Sequence, residues 1–78
     1  MSEATDLAAA AGSTDPTVGL RAVVALRRLL ESLEYLQVAN ARHQGWSWQE
    51  IADALEVTRQ GVHKKHAGRI PVTQNLEA

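Results

Sequence analysis

Arg59, Gln60, His63, Lys64 and Lys65 crowd into one short stretch that contains no acidic residue. Their chemistry is that of recognition. The guanidinium fork of arginine matches the O6 and N7 acceptors of guanine, and the glutamine carboxamide matches adenine by the same geometry. Lysine is a flexible point charge suited to phosphate oxygens, which position a protein without reporting sequence. Arg59 is therefore the first candidate for base reading and Gln60 the second. Lys64, Lys65 and Arg69 are the candidate phosphate anchors. His63 and His66 stand three apart, with His43 elsewhere, too few ligands for a metal site; a phosphate contact or a solvated imidazole is the expected role for the pair. Catalysis has no foothold: no nucleophile–base pair and no carboxylate dyad is visible, so the chain reads as a non-enzyme with no cofactor.

Net charge hides this polarity. The chain sums to -1, yet residues 1–16 hold Glu3, Asp6 and Asp15 without a base, and residues 57–70 hold Arg59, Lys64, Lys65 and Arg69 without an acid, a local charge of +4. Clustered charge, more than net charge, is the footprint of phosphate binding.

The basic stretch needs a helix to present it, and the sequence supplies two start signals. Ser47 and Glu50 have capping-box spacing, with Trp46 and Ile51 placed as a hydrophobic staple. Thr58 is a natural N-cap, and Val57 before it can meet Val62 on the first turn. Ile51, Ala52, Leu55, Val57 and Val62 form an apolar set able to close two short helices on a third, with Ala52 small where they cross. This is the form of a helix-turn-helix over 47–67. Ser47, Gln49, Thr58 and Gly61 join the candidate DNA contacts: Ser47 and Gln49 at the start of the first helix, Thr58 as cap and phosphate donor, Gly61 where the backbone can approach DNA or where the helices pass closely. Trp46 and Trp48 are expected to pack beside the supporting helix, and Tyr35 to sit at a core edge.

That supporting helix precedes the motif. Asp15-Pro16 is a cap followed by proline at the first helical position, and Gly45 is a stop. One long helix over 15–44 is the preferred reading, although Ser32 offers a second start. Its half nearest the motif, 33–41, suffices to carry it. The other half leaves Leu20, Val23, Leu26, Leu29 and Leu30 unexplained, and large exposed apolar patches mark interfaces. A 78-residue chain buries a small core, so a homodimer through these residues is expected. Residues 1–14 read as a flexible tail that can hold a helical turn over 7–11, and 71–78 as a C-terminal tail too short for a wing. The chain has no cysteine, no apolar run near the roughly 18 residues of a membrane span, and no visible secretory signal. A cytoplasmic protein on the nucleoid, away from membranes, is the expectation.

The pattern Trp48-x-Glu50-Ile51-Ala52-x-x-Leu55-x-Val57-Thr58-Arg59-Gln60-x-Val62-His63-Lys64 resembles the helix-turn-helix of small bacterial regulators and, more loosely, region 4 of sigma factors. It also looks like the module in actinobacterial proteins that join a long helix and such a motif to a Clp-like domain, of which no portion is present. The resemblance spans residues 45–66 and implies an all-α fold with the second helix in a major groove. One position departs: the turn between the helices, usually a left-handed glycine, is Glu56. The resulting expectation is a dimeric, sequence-specific transcriptional regulator. A sigma-like adaptor is disfavoured by the polarised charge, and a nucleoid binder without sequence preference by Arg59 and Gln60.

Overall fold

The computed structural model describes residues 2–70. It is all-helical: α1 (Glu3–Ala11), α2 (Pro16–His43), α3 (Trp48–Leu55) and α4 (Arg59–His66), with no strand among the described residues. The expected C-terminal tail over 71–78 lies outside the described residues.

Where the sequence suggests a flexible tail at 1–14, a helix forms instead. Ser2 caps α1, its hydroxyl accepting from the Thr5 amide at 3.1 Å. Glu3 and Asp6 stand in the first turn, where the helix dipole favours anions. The alanines that follow have the highest helix propensity. Apolar pattern alone gave no sign of this helix because it buries no residue fully. The backbone after it passes over α2: a Cβ on Gly19 would lie 3.5 Å from the Ala11 and Ser13 carbonyl oxygens.

α2 starts as Asp15-Pro16 predicts. The Asp15 carboxylate accepts from the Thr17 amide at 2.9 Å, and the Asp15 carbonyl from the Gly19 amide at 2.9 Å. The helix runs through Ser32 without a break. It stops at Gly45, whose φ of +91° is open to glycine. There the Trp46 amide donates to the Ala41 carbonyl and the Gly45 amide to the Arg42 carbonyl, both at 3.0 Å, the paired bonds of a Schellman stop.

The residues group into two compact units, Met1–Glu34 and Tyr35–Ala78, the border falling inside α2. In the first, Gly19 and Ala22 are buried. In the second, Val38 of α2, Ile51 and Ala52 of α3 and Val62 of α4 form the core, with Ala41, Trp48 and Ile70 packed against it. Ala52 is fully buried, as its size at a helix crossing suggests. Two members of the expected apolar set are not in this core: Leu55 is 37% exposed and Val57 50%. Both flank the turn, where the chain reverses and their side chains lose the inward face. Leu36 is likewise exposed; Val38 and Ala41 supply the support. Trp46 and Ile51 line one wall of a shallow groove of about 230 Å³ with Val38, Ala41 and Leu55, so the staple pair shares a surface. No helix among the described residues is long and apolar enough to cross a membrane.

Candidate nucleic-acid interface

The turn between α3 and α4 fixes the site. α3 opens on a complete capping box: the Ser47 hydroxyl accepts from the Glu50 amide at 3.0 Å, and the Glu50 carboxylate accepts from the Ser47 amide at 2.8 Å. It closes on Glu56, at φ 59° and ψ 43°, the only non-glycine residue with positive φ among those described. The Val57 amide then donates to the Ala52 carbonyl at 3.0 Å and the Glu56 amide to the Asp53 carbonyl at 3.2 Å. Glu56 thus holds the left-handed place of a helix stop that normally takes glycine.

Two residues later Thr58 caps α4, its hydroxyl accepting from the Gly61 amide at 3.0 Å. A Cβ on Gly61 would fall 2.8 Å from that hydroxyl oxygen. A side chain at 61 would therefore require the Thr58 hydroxyl to shift.

α4 turns Val62 and His66 inward, both buried. At 100° per residue, Gln60 and Lys64 stand opposite that pair, four apart on one outward stripe. Arg59, Gly61, His63 and Lys65 are also exposed, as are Thr58, Ser47, Gln49 and Arg69. All of these candidate contacts are thus on the surface, though several are already engaged, Thr58 in its cap among them. Gln49 donates from Nε2 to the Asp53 carboxylate at 2.8 Å. Ser47 is held in its capping box. Arg69 lies with its guanidinium 4.7 Å from the Tyr35 ring centroid, while the Tyr35 hydroxyl donates to the Arg69 carbonyl at 3.2 Å. Tyr35 thus places Arg69 beyond the end of α4.

His66 corrects the reading of a solvated or phosphate-bound imidazole. It is fully buried, with its ring centroid 6.3 Å from that of Tyr35. The signal was present in the spacing, since residue 66 lies four beyond the apolar Val62 and shares its face. No group of three His, Asp or Glu side chains among the described residues is placed to hold a metal ion.

The electrostatics of α4 separate its two ends. Its last turn carries His63, Lys64, Lys65 and His66, where the dipole welcomes cations, so helix stability alone accounts for part of this charge. Arg59 is different. It is the first residue of α4, in a turn without an acid, and a cation there opposes the dipole by about 0.3–1 kcal/mol. Local stability gives no reason for an arginine at this position. Comparison with protein-family models, characterised proteins and solved structures finds no match for this chain.

Proposed function

We propose that this chain is a sequence-specific double-stranded DNA-binding protein, a dimeric transcriptional regulator acting on the nucleoid in the cytoplasm, in which the N-terminal turn of α4 enters the major groove. The observation that carries the reading is the exposed, acid-free face of α4, held after a capped turn, with a cation at the end where helix stability disfavours one. Arg59 and Gln60 read base edges. Lys64, Lys65 and Arg69 hold phosphates, and His63, Thr58, Gly61, Ser47 and Gln49 complete the contact from the two helix starts.

The dimer is the second part of the proposal. Leu20 and Leu30 are 66% and 63% exposed, and Val23 38%; Leu26 and Leu29 are half-buried. Leucine left this open is stabilised when a second copy covers it, at about 25 cal/mol per Å² of apolar surface removed from water.

Titration of a labelled duplex pool against protein over a range of salt concentrations tests the reading. Binding should weaken linearly on a log–log plot, with a slope near 0.9 for each phosphate neutralised. A selected duplex should then compete better than a scrambled one. Salt-independent binding, or equal competition by both, defeats the proposal in its sequence-specific form.

A further inference from the structure

Side chains from three helices meet at one indole. The Arg42 guanidinium carbon, on the last turn of α2, lies 4.9 Å from the Trp48 ring centroid. The His63 imidazole forms a T-shaped pair with the same ring, with centroids 5.2 Å apart and planes at 78°. Arg42 also donates from Nη1 to the Trp46 carbonyl at 2.9 Å, across the loop that leads into α3. The Trp48 backbone is fixed in turn, because it is the first residue of α3 behind the Ser47–Glu50 capping box.

The arrangement separates a rigid end from an exposed one. Trp48 is half-buried and packs against the core of Val38, Ile51, Ala52 and Val62. His63 stands on the solvent side of α4. A solvent-exposed side chain ordinarily exchanges among rotamers, and ordering it on binding costs free energy. The electron-rich face of an indole attracts both the positive edge of an aromatic ring and a guanidinium. With Trp48 anchored, and Arg42 holding its ring, the indole contact restricts the imidazole before any partner arrives.

We propose that Trp48 and Arg42 are positioning residues that hold the His63 imidazole in one orientation on α4, so that it donates an oriented hydrogen bond to duplex DNA. The inference rests on the DNA-binding reading above and deepens it. The division of labour differs from that of Lys64, whose long chain needs no fixed direction to meet a phosphate. An imidazole has one donor direction per ring nitrogen, so its contact is only as good as its orientation.

A double-mutant cycle decides the matter, with a duplex enriched from a randomised pool by the wild-type protein as the probe. His63→Ala should weaken binding roughly tenfold, the size of one charge-assisted hydrogen bond. Trp48→Leu should weaken it several-fold while helicity is retained, and should add little in the His63→Ala background. Trp48→Phe, which keeps an aromatic face, should restore most of the affinity. In NMR spectra the His63 ring protons should be shifted by the indole ring current in the wild type and return toward unstructured values in Trp48→Leu. If Trp48→Leu fails to fold, Arg42→Met takes its place in the same cycle, with the same non-additivity expected. Losses that add, or His63 protons with no ring-current shift in the wild type, overturn the inference and leave the DNA reading intact. A wild-type protein that enriches no duplex and shows no salt-dependent binding overturns the DNA reading, and this inference with it.

Discussion

Replacing Glu56 by glycine should stabilise the protein. The residue sits at φ 59°, ψ 43°, where an L side chain costs roughly 1–2 kcal/mol. Glycine removes that penalty but brings more freedom to the unfolded chain, worth roughly 0.5–1 kcal/mol against folding. The difference leaves a gain of about 0.5–1 kcal/mol. For a domain of this size that corresponds to a rise in Tm of about 2–8 °C. Thermal unfolding followed by circular dichroism measures it. Glu56→Ala is the control that isolates the cause: it deletes the carboxylate but keeps the left-handed penalty, so its Tm should stay near the wild-type value. Both substitutions remove a negative charge two residues before the α4 cap, so both should tighten DNA binding at low salt. A Tm for Glu56→Gly at or below that of Glu56→Ala would refute the strain argument. A rise shared equally by both variants would assign the effect to charge.

The remaining predictions concern the face of α4 and the exposed face of α2. Arg59→Ala should lose discrimination at one base pair, by about 1–3 kcal/mol, in binding profiles over single-base variants of a selected duplex; equal weakening on all variants would make Arg59 a phosphate contact. Lys64→Ala should weaken binding uniformly and lower the salt slope by about one, and an unchanged slope would remove Lys64 from the interface. The pair Leu26→Asp and Leu30→Asp should give monomers by sedimentation, because carboxylates resist desolvation, with weak DNA affinity retained; a wild-type protein that is monomeric at micromolar concentration and on DNA would sink the dimer and its palindromic site with half-sites roughly 34 Å apart.

The parts of the fold legible in sequence were those written in local chemistry. Asp15-Pro16, Gly45, Ser47 with Glu50, and Thr58 each carry a stereochemical instruction that few other residues can give, and the structure places a helix end at each of them. Apolar pattern was a weaker guide. Ile51, Ala52 and Val62 are buried, whereas Leu55 and Val57, equally apolar, stand in the open; only the path of the turn distinguishes them. Helix α1 escaped because its evidence is propensity and a cap, without an apolar stripe. At the candidate site, sequence identified the solvent-facing residues, apart from its misplacement of His66, but not their neighbours. The contacts of Trp48 with Arg42 and His63, and of Tyr35 with Arg69, join residues six to thirty-four apart in sequence. They depend on how three helices pack, which local spacing does not encode.

The departures from local consistency cluster where the function is proposed. Glu56 takes a left-handed backbone that glycine would fill without strain, and Arg59 puts a cation at the positive end of a helix dipole. Between them, Thr58 makes a well-formed cap. Selection for stability alone would have favoured the opposite choice at both flanking positions, glycine at 56 and an acid at 59. Sequences tend to break local rules at functional sites and to compensate elsewhere. Here the compensation is visible in the reciprocal capping box of α3 and in the basic last turn of α4, each aligned with its helix. The two departures also differ in kind. Under the proposed function, arginine at 59 gains its meaning from an anionic partner. For the proposed DNA partner, glutamate at 56 is a charge of the wrong sign, which would weaken general attraction to phosphate. A negative charge beside a reading helix lowers affinity for all DNA alike and leaves selectivity to the residues that touch bases. If the proposed function holds, that combination would speed release from non-cognate sequence, because non-specific binding is almost wholly electrostatic.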